Sequence, residues 1–304
     1  MFNFFKTIFS PIIAILDFIT KYFKTIVFLT IIYFITIPAD ENLAEGKNHA
    51  NLQKIELTGP IMDATKTLED IQKAKDDKNI KGVLFVVDSP GGSVAPSVEL
   101  AYAIKELKDV KPVVVYASGV IASGSYYASI WGNKIIANPG SMVGSIGVIM
   151  QGVNTKELMD KIGISTQTVK AGKYKESGTP TRKWFDYEEK QLQGVIDDTY
   201  NMFISDVASA RNLNVKNHTL FADAKIFTSK QAKEVGLIDE VATLSYAQNS
   251  LITLAKVENP VWKKEDKFEK FMNKLISEAV SNISMNLMSG LKAYWFYFYR
   301  YKKG

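Results

Sequence analysis

From Lys54 to Met150 the apolar residues gather in short runs, separated by turn residues and by longer charged stretches. Ile55-Glu56-Leu57 alternates apolar and polar positions, predicting a strand that turns at Gly59-Pro60. Thr65 to Lys78 carries helical charge spacing, and Gly82 to Val87 is uniformly apolar, as a buried strand requires. The turn Asp88-Ser89-Pro90-Gly91-Gly92 follows, then a helix over Val94–Leu107. Pro112 to Tyr116 reads as another buried strand, Ala117 to Ala122 as a turn of small residues, and Ser123 to about Trp131 as a helix. Lys134–Ala137 and Ile146–Met150 read as further short strands on either side of Pro139-Gly140. Strands that alternate with helices predict an α/β layered fold around a largely parallel sheet.

The two ends depart from this pattern. Thr25 to Ala39 is an uncharged, apolar run of 15 residues, short of the roughly 20 that cross a bilayer core. Phe18 to Phe23 extends it if Lys21 and Lys24 snorkel to the headgroups. Basic residues before the run and Asp40-Glu41 after it predict a cytoplasmic N-terminus with the remainder exported. A cleaved signal peptide is the competing reading. Ile37-Pro38-Ala39 fits a small-x-small cleavage site poorly, so an uncleaved single-pass anchor is expected. Phe2 to Ile19, broken by Lys6, Pro11 and Asp17, is expected to lie in the membrane interface. Near the other end, apolar residues from Phe268 to Leu287 recur at helical steps, and the chain finishes in an aromatic, basic run from Tyr294 to Lys303. That tail suits packing on the core or a neighbouring subunit, and it also suits a membrane interface. The expected division is an anchor segment over 1–40, a linker over 41–50, a catalytic domain over 51–245 and an amphipathic helical tail over 246–304.

Composition narrows the chemistry. The 304 residues include no cysteine, which removes thiolate catalysis, disulfides and cysteine-bound zinc. The net charge of +5 is scattered, and its terminal lysines lie beside apolar runs. This favours an anionic lipid surface over a nucleic-acid groove. No metal-ligand spacing or phosphate-binding loop is present, so neither a metal nor an organic cofactor is expected. Only His49 and His218 could serve as imidazole bases, and neither lies in a catalytic pattern.

Ser123 follows a buried strand and opens a helix, where free N–H groups and the positive dipole end favour a developing negative charge. Gly124 offers one N–H for an oxyanion, and Gly91-Gly92 another. Taken alone, a serine here reads as a helix N-cap. With no histidine to activate it, the base would be a lysine: Lys170, Lys173 and Lys175 all lie in one segment, and spacing does not choose among them. Lysines ordinarily titrate near 10.4, so only a few in ten thousand are neutral at pH 7. Bringing one near 7 costs roughly 4 kcal/mol against the charged form, which demands burial. Ser145 is placed to offer an aligning hydroxyl.

The ordered set Asp88-Ser89-Pro90-Gly91-Gly92, Ala122-Ser123-Gly124 with Tyr126-Tyr127, Gly144-Ser145-Ile146-Gly147-Val148 and Gly172-Lys173-Tyr174-Lys175-Glu176 with Pro180 resembles the signal peptide peptidase A (protease IV) family. A late block, Phe227 to Asp239, is similar to that family's closing motif. The resemblance implies a Clp-protease/crotonase-like fold and peptide hydrolysis by a Ser-Lys dyad. It makes Ser123 the nucleophile, Lys175 the general base, Ser145 the residue orienting the lysine, and Gly91 and Gly124 the oxyanion hole. It further implies hydrophobic peptide substrates, remnant signal peptides among them, and a homo-oligomeric ring whose neighbouring subunits complete the sites. The expected location is the inner (cytoplasmic) membrane of a bacterium, with the catalytic domain on the exported side. Two positions depart from the pattern: Ser125 stands where a second glycine is usual, and Ala224 where glycine precedes the closing motif. The alternatives are an acyl-CoA enzyme on the same fold and a non-catalytic membrane scaffold.

Overall fold

The computed structural model describes Asp17, Phe18, residues 20–30 and residues 50–264. The chain divides into two units, Met1–Asn48 and His49–Gly304. In the first unit the described residues are helical, with Phe18, Phe23, Phe28 and Leu29 all exposed. Among the described residues no helix is long and apolar enough to cross a membrane. Most of the Thr25–Ala39 run, the Phe2–Ile19 segment up to Leu16, and the Phe268–Leu287 and Tyr294–Lys303 runs lie outside the described residues.

In the second unit, strands β1 (Leu52–Thr58), β2 (Gly82–Ser89), β3 (Val113–Ala122) and β4 (Lys134–Ala137) pair in sequence order, all parallel. β5 (Met142–Gly144) joins the far half of β3 in parallel and pairs antiparallel with β6 (Ile226–Thr228), while β7 (Glu240–Val241) closes the sheet on β4. Helices α1 (Thr65–Asp76) and α2 (Val94–Val110) are crossovers between successive parallel strands, and α3 (Gly124–Ser129) opens directly after β3. The short α4 (Lys156–Lys161) is followed by the long α5 (Asp186–Arg211), then α6 (His218–Phe221), α7 (Ser229–Glu234) and α8 (Leu244–Leu254). The α/β layered fold with a largely parallel sheet is therefore as the patterning predicted.

Alternation along each strand sorts the core into two layers. Val83, Phe85 and Val87 of β2, with Val113 and Val115 of β3, face Ile71, Leu100, Ile104, Phe203 and Val207 of the helices on one side. Leu84, Val114, Tyr116 and Ile136 face Ala247 and Leu251 of α8 on the other. Because both faces are covered, the central strands read as continuous apolar runs rather than alternating ones.

Two expectations about the strands need correction. The stretch Ala117–Ala122, expected as a turn, continues β3: its register on β2 shifts at Asp88, whose carboxylate accepts the Val120 N–H at 2.8 Å. Gly119 leaves room for that carboxylate, since a Cβ there would sit 2.4 Å from Asp88 Oδ1. Ile146–Met150, expected as a strand, is irregular, and the strand lies earlier, at Met142–Gly144. Ser145 breaks the extension with φ 50°, and the Ile146 carbonyl accepts from the Ala224 N–H instead. Ala224 itself has φ 52°, which explains why glycine suits that position.

Candidate active site

β2 and β3 end at the same edge of the sheet, and their two turns interlock. Gly91, at φ 91°, comes so close that a Cβ there would sit 2.6 Å from Gly124 N and 2.9 Å from Ser123 Cβ. On Gly92 a Cβ would meet the Ile61 carbonyl oxygen at 2.1 Å. The Pro-Gly-Gly sequence is therefore a packing requirement: no side chain fits between the turns. Ser125, the departure noted above, is wholly buried and bolts them together. Its hydroxyl donates to the Ser89 carbonyl at 2.6 Å and accepts from the Ala122 N–H at 2.9 Å.

Ser123 sits on the strained point of this arrangement, with φ 53° and ψ −123°. A non-glycine residue there costs on the order of 1–3 kcal/mol, a cost met only where the surroundings enforce it. Here the Ser123 N–H donates to the Gly144 carbonyl at 2.8 Å and its carbonyl accepts from Tyr127 N–H at 2.9 Å. Although Ser123 occupies the N-cap position of α3, its side chain makes no capping hydrogen bond. The helix-cap reading of Ser123 therefore fails. A strand-to-helix turn of this strained kind lifts a hydroxyl clear of the backbone, as nucleophile elbows do.

The hydroxyl borders a cavity of about 100 Å³. Its apolar walls are Val94, Val98, Tyr127, Ile149, Met202 and Phe203, with Gly92 and Gly124 beside the serine. Tyr127 fixes one wall: its ring packs edge-on to Phe203 at 4.8 Å, and its hydroxyl donates to the Asp206 carboxylate. Burial first, and then that carboxylate, push the Tyr127 hydroxyl far above the usual phenol range, so it stays protonated.

The N–H groups at the cavity mouth sharpen the oxyanion expectation. Gly124 begins α3, so its N–H has no partner within the helix, and among the described residues it has none elsewhere. The Gly91 N–H donates to Ser89 Oγ at 3.2 Å. Gly92 lines the cavity, and its N–H makes no hydrogen bond among the described residues. The paired glycines carried that signal, but only the packing of the turns separates them.

Ser145 joins this cluster through the backbone: it follows the carbonyl that holds Ser123, and its own N–H donates to Lys225 O at 2.7 Å. Lys175 does not join it. It is exposed and does not line the cavity. The three lysines are nonetheless distinguishable. Lys170 Nζ is paired with Glu176 at 2.7 Å, and Lys173 Nζ lies over the Tyr187 ring at 4.5 Å. Among the described residues the Lys175 ammonium has no ion pair, hydrogen bond or ring contact.

A polar cluster that sequence reasoning missed lies beside this lysine segment. Arg182 grips the wholly buried carboxylate of Glu188 with two bonds of 2.8 Å, and the Phe185 N–H donates to Glu188 at 2.9 Å. The guanidinium chiefly, aided by that N–H and opposed by burial, holds the Glu188 carboxyl down to about 2 from the ordinary 4.5. A carboxylate depressed on folding adds stability above about pH 4.5 that is lost as pH falls toward 2. Urea unfolding is therefore expected to show a larger loss of midpoint between pH 6 and pH 3 in the wild type than in Glu188→Gln. Equal losses would place the acid sensitivity elsewhere.

Comparison with known proteins places the chain. Residues 105–258, about half of it, match the model for peptidase family S49. A putative protease of Methanocaldococcus jannaschii is 47% identical over 64% of this chain and 61% of its own length. A putative protease of Synechocystis is 38% identical over 68% of this chain and 75% of its own. A putative signal peptide peptidase of Enterococcus faecium is 32% identical over 71% of this chain and 66% of its own. The chain belongs to peptidase family S49, the signal peptide peptidase A family of serine peptidases.

Proposed function

We propose that the protein is a membrane-anchored endopeptidase that cleaves hydrophobic peptides through an acyl-enzyme, with Ser123 as nucleophile and Lys175 as general base. The observation that carries this reading is Ser123 itself, a strained serine whose hydroxyl caps nothing and borders an apolar cavity beside two unspent N–H groups. In the proposed reaction the Lys175 amine takes the Ser123 proton as Oγ attacks the peptide carbonyl. The N–H groups of Gly124 and the Gly91-Gly92 turn receive the oxyanion, and the protonated lysine then passes its proton to the leaving amine. Water, activated by the same amine, releases the acyl group. Ser145 orients the lysine.

Apolar walls and a volume of about 100 Å³ suit one apolar side chain of the substrate, which fits remnant signal peptides held at a bilayer. The reading keeps a Clp-protease/crotonase-like fold for the catalytic domain expected over 51–245, an anchor over 1–40 and a linker over 41–50. However, α8, whose Ala247 and Leu251 cover the sheet, carries that domain past 245, and the helical tail expected over 246–304 begins only after it. The exposed apolar side chains of the described N-terminal helix support that anchor, and the lysines before the apolar run with Asp40-Glu41 after it favour an exported catalytic domain at a bacterial inner membrane.

A lysine base needs apolar cover, and Lys175 is exposed in the single chain. The same stretch exposes Ile149 by 83%, and Val153, Leu158, Ile162, Ile164 and Val169 are also exposed. Such a surface suits a second copy of the chain, so the reading includes a ring in which a neighbouring subunit or the substrate covers the lysine.

The test is turnover of a fluorogenic peptide amide bearing an apolar residue before the scissile bond. Hydrolysis is expected to stop when one fluorophosphonate has reacted per active subunit and to survive a metal chelator. Hydrolysis that continues after complete labelling, or that a chelator removes, would contradict the reading.

A further inference from the structure

The turn that carries Lys175 is fixed by side chains outside the proposed chemistry. No residue between Ile149 and Tyr187 is buried, so apolar packing does not set its position. Polar contacts do. Glu176, next to Lys175, receives Lys170 Nζ at 2.7 Å and Arg182 NH2 at 3.2 Å on the same carboxylate oxygen. Arg182 in turn is clamped on Glu188 in the first turn of α5, and its guanidinium lies 4.2 Å over the Phe185 ring. On the other flank Tyr174 packs edge-on to Tyr187 at 5.4 Å, and Tyr187 stacks on Phe185 at 5.6 Å. A long helix thus anchors an arginine, and the arginine anchors the residue beside the lysine.

Charge placement matters as much as position. The charged groups around the turn are Lys170, Lys173, Glu176, Arg182 and Glu188. A free carboxylate at Glu176 would pair with the adjacent ammonium and favour its charged form, the opposite of what a base requires. Arg182 and Lys170 both bind one oxygen of that carboxylate, Oε2, and direct it towards themselves.

Resting on the reading of Lys175 as general base, we propose that Arg182, seated on Glu188, is a positioning residue for that lysine. It fixes the turn over 172–176 and, with Lys170, turns the bonded oxygen of the Glu176 carboxylate away from the amine. A lysine at position 182 keeps the charge but cannot span both carboxylates with a rigid fork.

The experiment uses the full chain in detergent, the same fluorogenic peptide amide, and the variants Arg182→Ala, Arg182→Lys, Glu176→Gln, Lys175→Ala and the double variant Arg182→Ala/Glu176→Gln. Arg182→Ala is expected to lower kcat about 30-fold while KM moves less than about 3-fold. It should also shift the acid limb of kcat/KM upward by about one pH unit, as a carboxylate left with Lys170 as its remaining cation would. Adding Glu176→Gln should return the limb to its wild-type position and recover about 10-fold in kcat, with Arg182→Lys intermediate. A merely structural arginine would lower the melting temperature, leave the limb in place and gain nothing from Glu176→Gln. That result, beside an inactive Lys175→Ala protein, overturns the positioning role alone. A Lys175→Ala protein with wild-type turnover overturns the base assignment on which it rests.

Discussion

Ser123→Ala is expected to lower peptide hydrolysis by about 10⁴-fold or more, with KM and the melting temperature close to wild type. The expectation of unchanged stability is specific. The Ser123 side chain makes no capping bond, and alanine inherits the same φ of 53° with the same backbone partners at Gly144 and Tyr127. Were the serine a cap, its loss would cost about 0.5–2 kcal/mol of stability and leave the chemistry alone. The substrate cavity keeps its apolar walls in the variant, so binding should persist while bond cleavage disappears. Kinetics and thermal melting on the same preparation check both halves, and turnover within about 10-fold of wild type would rule out an acyl-Ser123 intermediate.

Lys175→Ala is expected to be nearly as damaging, with a loss of about 10³-fold or more in kcat. Because the side chain is exposed and its ammonium has no partner among the described residues, the fold should not notice the change. Lys175→Arg should fail as badly, since a guanidinium does not deprotonate in a protein and so cannot take the serine proton. Lys173→Ala serves as the comparison, because its charge is engaged by the Tyr187 ring. Rate profiles from pH 6 to 10 measure the effect. A Lys175→Arg protein with wild-type activity would exclude general-base catalysis by this residue.

Much of the sheet was legible because burial on both faces writes itself as unbroken apolar runs. Gly82–Val87 and Lys134–Ala137 are strands where the pattern places them. The errors fall where a local rule meets a side-chain contact. Ala117–Ala122 has the small residues of a turn, yet Asp88 and β5 keep it in the sheet. Ile146–Met150 has strand composition, but the positive φ of Ser145 turns the chain out of it. At the site, the interlocking of the Gly91-Gly92 and Ser123-Gly124 turns was foreshadowed by small residues at both strand ends. The uncommitted hydroxyl, and a Gly92 N–H left free among the described residues beside a bonded Gly91 N–H, required atomic contacts. The Arg182–Glu188 clamp left no signal in the sequence, because a six-residue spacing across a helix start matches no local periodicity. Ser125 is the instructive departure: a serine in place of glycine adds a buried hydroxyl that joins Ser89 to Ala122.

The central claim is that Ser123 is a nucleophile activated by Lys175. The most direct measurement is peptide mapping by mass spectrometry after reaction of the full chain with a fluorophosphonate. A phosphonyl adduct on Ser123 is expected in the wild type, and its loss is expected in Lys175→Ala. An adduct on another serine, or equal labelling of Ser123 without Lys175, would contradict it.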